Sequence, residues 1–529
     1  MTKTKTKTKT KTKTKTKTKT KTKKSKRNIA LTALTTVSGV VLGLTLPLTA
    51  TASTAQAAST ALRVKPLDWT KCEGSGFGPR QECATVDVPM DYADPEGEKI
   101  GIAVSRIRSE KPAVRRGVLL LIPGGPGGSS LEEQSAKART LPREVREAYD
   151  LVVFDPRGNG RSAPVSCGFE QRDLAATAFR PWPVGPDGSV AGNLTAARRM
   201  AGACERNGGE LLRHIDTVAN AHDVDRIRAA LGERKLSAWG VSYGSYLGAV
   251  YSQLFPHRTD RFVLDSNLDA NADAHGGQVA RGLWAGFEQG VEDVFPEFAK
   301  WASAPGNPYR LADTAAEVRP VFLRLAARLD REPIPWPGAN PAELNGNVLR
   351  QSLLDAFYDP EGFPAAAQLI LAARKGTVPP APEAPPEALL QNGLAVASAT
   401  FCNEGKWPAS AARYQREVDE SRAKYPLTAG MPRNATLCAA WPYPPKQDPV
   451  RITDRGPSTI LMVQNERDPA APLAGARELR AALGKRAVMV TVNATGHDAY
   501  LGNGNACGDA AVTRYLATGE RPTRDTYCR

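Results

Sequence analysis

Short, uninterrupted apolar runs recur along the chain at Arg116–Ile122, Tyr149–Phe154, Lys235–Trp239, Arg261–Asp265, Thr459–Val463 and Ala487–Val492. Runs of this length without polar alternation predict strands buried on both faces, as in a parallel sheet. Helical patterns lie between them. Asp216 or Thr217 can cap a helix whose Val224, Ile227 and Leu231 share one face and which stops at Gly232. Ser245–Leu254 predicts a helix closed by Pro256, and Ala474–Leu483 predicts another. Strands alternating with helices predict an α/β fold, a mostly parallel sheet with helices on both faces.

From about residue 270 to 455 the rhythm changes. Helical pieces such as Gln278–Phe287 and Val348–Tyr358 are separated by proline-rich connectors, of which Val378–Pro386 is the stiffest. This predicts a mainly helical cap inserted into the α/β core. The expected organisation is a leader over 1–57, a first part of the core over 62–270, the cap over 271–455, and the rest of the core over 456–529.

The leader has its own pattern. A Thr-Lys repeat runs through Thr22, followed by the basic Lys23–Arg27, a diluted apolar stretch Ile29–Leu46, Pro47, and the small-residue site Ala55-Gln56-Ala57. That order predicts a secretory signal cleaved near Ala57, since the apolar stretch is too short and too diluted for a spanning helix. The leader also explains the charge. Residues 1–27 hold thirteen lysines, Arg27 and no acid, so of the formal +15 the remaining chain carries only +1. A near-neutral body argues against a nucleic-acid partner, and no stable membrane partner is expected beyond export.

Eight cysteines, Cys72, Cys83, Cys167, Cys204, Cys402, Cys438, Cys507 and Cys528, all lie beyond the leader. An even count in an exported chain predicts disulfides. Pairing of sequence neighbours, 72–83, 167–204, 402–438 and 507–528, closes the most modest loops. The absence of any C-x-x-C argues against a zinc or redox site, and no cofactor is expected.

The candidate chemistry starts at Gly240-Val-Ser-Tyr-Gly244, set between a predicted strand and a predicted helix. In a G-x-S-x-G elbow the serine sits on a strained turn with its hydroxyl exposed, and the glycines allow close backbone approach. A serine hydroxyl needs a base to take its proton and a carboxylate to orient that base. Among five histidines, His214 and His222 precede Ser242, while His257 and His275 follow its helix too closely for the Ser–acid–His order. His497, in a loop after the run ending at Val492, remains. The acid should follow the preceding strand, where Asp468 is preferred over its competitor Glu466. The loop Pro123–Gly128 follows another strand and offers free amides for an oxyanion.

The motifs Gly-Gly-Pro-Gly at 124–127, Asp-Pro-Arg-Gly-Asn-Gly-Arg-Ser at 155–162, Gly-Val-Ser-Tyr-Gly-Ser-Tyr-Leu-Gly at 240–248, Asp-Pro at 468–469 and Gly-His at 496–497 resemble the secreted tripeptidyl aminopeptidases. These belong to the prolyl-iminopeptidase branch of the α/β-hydrolases, and the resemblance spans about residue 62 to the C-terminus. Pro123 departs from that branch, which often has His there; this weakens proline specificity and matches the tripeptidyl enzymes. The resemblance implies an α/β-hydrolase fold and a secreted serine exopeptidase, extracellular and either free or associated with the cell wall. Its partners would be peptide or protein substrates with free N-termini, from which it releases short peptides. It also implies Ser242 as nucleophile, His497 as base and then acid, Asp468 as orienting carboxylate, and the amides of Gly125 and Tyr243 as oxyanion donors. The residues alone reach only a secreted serine hydrolase, so an esterase or small-molecule amidase, and a non-catalytic binding protein, stand as rivals.

An exopeptidase that counts from an end needs a group for the substrate's α-ammonium, and a carboxylate in the insertion is the natural partner. Glu404, in Phe401-Cys-Asn-Glu-Gly405, is the candidate, because a 402–438 disulfide would hold it rigidly.

Overall fold

The computed structural model describes residues 67–529, apart from 75, 129–130, 176, 186 and 272–278; the leader expected over 1–57 lies outside the described residues. The predicted apolar runs form strands. In chain order these are β1 (Thr70–Lys71), β2 (Gln81–Pro89), β3 (Lys99–Ile107), β4 (Gly117–Ile122), β5 (Tyr149–Phe154), β6 (Leu236–Val241) and β7 (Thr259–Asp265). After a short hairpin, β8 (Ile334–Pro335) with β9 (Glu343–Leu344), come β10 (Ile460–Arg467), β11 (Ala487–Thr495) and β12 (Thr526–Cys528). Every residue of β4 and of β6 is buried, as expected for strands covered on both faces.

Among the described residues one sheet has the order β1-β2-β3-β5-β4-β6-β7-β10-β11-β12. The first three strands are antiparallel, and β5 through β12 run parallel. This is the α/β-hydrolase fold, as the resemblance implied. The antiparallel edge escaped the apolar-run reading because β2 mixes buried positions with half-buried and exposed ones and forms no continuous apolar run.

The side-chain period of two separates the interior into two cores. Val118, Leu120 and Ile122 of β4 join a cluster that continues without a break into the insertion at Trp284, Phe298 and Phe401. Leu119 and Leu121 face the other way, onto Leu131, Val145 and Tyr515. The insertion therefore shares its apolar core with one face of the sheet.

The first insertion helix runs over Val279–Ala302, well past the Phe287 end read from sequence, and passes through Pro296. Its stripe Phe287, Val291, Val294, Phe295, Phe298 and Ala302 is buried, and that burial outweighs the one hydrogen bond that an internal proline removes. Residues 163–215, counted with the first part of the core in the sequence reading, also reach the insertion. Gln391 bonds both backbone groups of Phe169, Trp182 donates to Gln351 at 2.9 Å, and Asn434 donates to the Pro181 carbonyl at 2.6 Å.

The four disulfides are Cys72–Cys83, Cys167–Cys204, Cys402–Cys438 and Cys507–Cys528, the neighbour pairing expected from sequence. They span separations of 11, 37, 36 and 21 residues. In the chain-entropy account each is worth about 3–4 kcal/mol through restriction of the unfolded chain. Thiol titration of the protein under denaturing, non-reducing conditions should find no free thiol, and more than one per chain would contradict this pairing.

Candidate active site

The register of the sheet assembles the site. Ile122 of β4 pairs with Gly240 of β6, Val241 with Asp265 of β7, Asp265 with Val463 of β10, and Arg467 of β10 with Thr495 of β11. Consequently the loops holding Gly124–Gly128, Ser242, Asp468 and His497 all leave the same carboxyl edge, where open α/β sheets bind ligands.

Ser242 joins β6 to the helix Tyr243–Leu254 at φ +58°, ψ −123°, a conformation costly for a residue with a side chain. Its flanking glycines are sterically required. A Cβ at Gly240 would lie 2.2 Å from the Gly244 carbonyl oxygen, and one at Gly244 would lie 2.3 Å from the Ile122 oxygen. The Ser242 amide donates to the Asp265 carbonyl at 2.9 Å. A Cβ at Gly124 would stand 3.3 Å from the Ser242 Cβ, so the glycine loop after β4 passes directly beside the serine. Gly125 lies in that loop, and Tyr243 opens the helix, where first-turn amides have no partner within the helix.

His497 Nδ1 lies 2.9 Å from both carboxylate oxygens of Asp468. Asp468 is fully buried, and its Oδ1 also accepts the amides of Ala470 at 2.9 Å and Ala471 at 2.8 Å. With Nδ1 donating to the carboxylate, Nε2 is the free ring nitrogen. Burial alone would depress the imidazole's pKa. The Asp468 charge and hydrogen bond, joined by Asp498 and Asp265, overcome that and push it up to about 9. Glu466, the competing acid, instead meets Arg467 at 3.1 Å and the Tyr527 hydroxyl at 2.9 Å.

The insertion helps position this pair. The His497 amide donates to the Tyr358 carbonyl at 2.7 Å, and the two rings meet edge-on with centroids 5.1 Å apart. Gly496 has φ +113°, and a Cβ there would come within 2.9 Å of that same carbonyl oxygen. A Cβ at Gly290, on the Val279–Ala302 helix, would lie 2.6 Å from the Asp468 carbonyl oxygen. Arg180, from the segment before β6, donates to the Tyr358 hydroxyl at 2.8 Å.

Sequence reasoning missed a second acid. Asp265, at the end of β7, accepts the amides of Ala499 at 2.8 Å and Tyr500 at 3.0 Å and the Trp239 indole at 3.2 Å. It thereby fixes the turn that follows His497. Burial raises its own pKa to about 6. Asp498 pairs with Lys137 at 2.7 Å and donates its amide to Ser266 Oγ at 2.9 Å. The available signal was an acid at a strand's carboxyl end, the criterion that selected Asp468.

Glu404 caps the helix Glu387–Asn403 and is buried. Oε1 accepts from Thr217 Oγ1, which also lies 2.8 Å from the Tyr243 hydroxyl. Oε2 is buried without a hydrogen-bond partner among the described residues. Burial, reinforced by Asp216, holds this carboxyl well above the usual range. The structure thus sets Glu404 behind Tyr243, the residue after Ser242. Among the described residues the other histidines sit elsewhere: His214 packs on Lys446 and His222 between Tyr92 and Phe255, while His257 lies in the Pro256–Arg258 turn; His275 lies outside the described residues.

Residues 117–332 match the family model described as alpha/beta hydrolase fold, and 425–528 match that described as TAP-like protein. The tripeptidyl aminopeptidase of Streptomyces lividans is 36% identical over 480 residues, covering 87% of this chain and 86% of that relative. Serine protease Hip1 of Mycobacterium tuberculosis is 28% identical, covering 88% of this chain and 91% of that one. Carboxylesterase B of the same species is 29% identical, covering 84% and 86%.

On an uncharged activated ester, kcat/KM should rise with pH, because only the neutral imidazole accepts a proton. Asp468 stabilises the protonated ring, so activity is lost as pH falls through a midpoint above 6.5 and towards 9. Asp468→Asn should shift that midpoint downward and lower kcat by about 10⁴-fold. Glu466→Gln should be mild, and a damaging Glu466→Gln beside a mild Asp468→Asn would overturn the choice of acid.

Proposed function

This chain belongs to the tripeptidyl aminopeptidase family of the α/β-hydrolases, and we propose that it releases short peptides, tripeptides on the family's example, from free N-termini through an acyl-enzyme. The protein is a serine peptidase of the exopeptidase class. The observation that carries the mechanistic reading is the buried Asp468–His497 pair at the same sheet edge as the strained Ser242 turn.

In this reading Ser242 Oγ attacks the scissile carbonyl while His497 Nε2 takes its proton, and Asp468 holds the ring and stabilises the imidazolium. The amides of Gly125 and Tyr243 receive the oxyanion. The ring then protonates the leaving amine, and water releases the acyl group by the same route in reverse. Glu404 answers the substrate's α-ammonium. Its unpartnered Oε2 supports this role, because a buried carboxyl whose ionised form is disfavoured gains an opposite charge when a cation arrives. Export to an oxidising compartment is supported by the four disulfides, which the cytosol would keep reduced.

A second reading, an esterase on the same scaffold, is favoured by the likeness to carboxylesterase B. A library of free-amine peptides and their N-acetylated forms, with products identified by mass, separates the two. Tripeptides should appear only from free-amine substrates and vanish with Ser242→Ala; hydrolysis of simple esters alone would favour the esterase. Glu404→Gln should raise KM for free-amine peptides by loss of a charge-assisted contact of about 1.5–3 kcal/mol. That is roughly 10–150-fold, and no change would move the amine site elsewhere in the insertion.

A further inference from the structure

The glycine loop beside Ser242 has a second neighbour. Gly127 is locked against the helix Glu387–Asn403: a Cβ on Gly127 would lie 2.2 Å from the Gly393 oxygen, and one on Gly393 would lie 2.5 Å from the Gly127 oxygen. On the open side of this contact is a cavity of about 320 Å³, floored by the backbone of Gly125–Gly128. That volume suits a small-ligand pocket.

Its walls are almost wholly apolar. Leu174, Ala178 and Phe179 come from the segment before β6, and Leu390, Leu394 and Ala397 from the insertion helix. Leu389, at the rim, is 46% exposed, so the entrance is apolar as well. Among the described residues the one charged group in the lining, Asp173, is buried and already engaged by Arg199 through both carboxylate oxygens. A cationic side chain therefore finds no free carboxylate among the described residues of the lining, and an anionic one finds no free cation. Either would lose hydration without a partner, whereas an apolar group would only leave water.

We propose that this cavity is the specificity pocket for an uncharged, apolar side chain on a residue flanking the scissile bond. Ala178 and Ala397 set its depth, and Leu394 and Phe179 its inner wall. Ala178 is only half-buried in a turn, so it can be enlarged with less disturbance than Ala397, which touches the glycine loop. The inference rests on acyl transfer at Ser242, but it concerns side-chain preference and is separable from the requirement for a free amine.

The experiment measures kcat/KM for free-amine peptides that vary the two residues flanking the scissile bond through Ala, Leu, Phe, Lys and Glu. At one of these positions Leu or Phe should exceed Ala by at least about tenfold, and exceed Lys and Glu by more. Ala178→Leu should reduce the Leu-to-Ala ratio at that position about tenfold, and Leu394→Ala should move the optimum to a larger side chain. Because ratios are compared within one variant, partial unfolding scales both substrates equally and leaves them unchanged. A preference for Lys or Glu, no preference at either position, or ratios unmoved in both variants would overturn the pocket. Failure to hydrolyse any peptide would overturn the peptidase reading instead, and graded acyl-chain esters would then test the pocket alone.

Discussion

The site depends on one close backbone approach, that of the Ser242 turn to the end of β4. A non-glycine residue at φ +58° persists only where its surroundings over-determine it. Gly244 rests on the Ile122 carbonyl, Gly240 on the Gly244 carbonyl, and the Ser242 amide is held by Asp265 of the neighbouring strand. The same approach brings the glycine loop after β4 alongside the serine. One steric solution therefore exposes the hydroxyl and delivers amides beside it, and it exists only in the strand order that puts β4 between β5 and β6.

Electrostatics around His497 follow from the neighbouring strand ends. Three carboxylates, Asp468, Asp498 and Asp265, act on one buried imidazole, with Lys137 the ammonium paired to Asp498. Such a surrounding favours the charged ring, the form that acyl transfer generates transiently. The consequence at rest is that the neutral base is a minority near neutrality, roughly one ring in a hundred at two units below its pKa. The charges that favour the imidazolium also raise the pH at which the ring becomes neutral.

Much of this was legible in the sequence. Central strands buried on both faces are written as continuous apolar runs, and the elbow, the Asp468–Pro469 turn and the Gly496–His497 loop each follow one. What stayed hidden lacked a local pattern. The antiparallel edge strands mix polar with apolar positions. Asp265 reads as an ordinary strand terminus until the turn at Ala499–Tyr500 closes on it. The contacts of Tyr358 and Gly290 with the His497 and Asp468 loops join residues more than a hundred positions apart. Segment 163–215 holds the helix Ala191–Asn207, whose buried Asn193, Ala197, Met200 and Cys204 share one face, but nothing in that pattern names the partner the face packs on.

The apolar core shared by sheet and insertion has a consequence for Glu404. A carboxyl placed at the end of a helix, tied down by Cys402–Cys438 and by Trp441 bonding to Asn403 at 2.7 Å, cannot swing out to water. It stays buried, with burial and then Asp216 disfavouring its ionised form and with one oxygen unsatisfied, a cost of about 1–3 kcal/mol. A ligand bringing an ammonium to that oxygen would relieve the unsatisfied acceptor and supply the countercharge that ionisation lacks. A blocked terminus supplies neither. In the proposed amine-binding role, discrimination for a free amine would come from a penalty built into the fold, and Thr217 links the carboxyl to the Tyr243 hydroxyl, on the residue after Ser242.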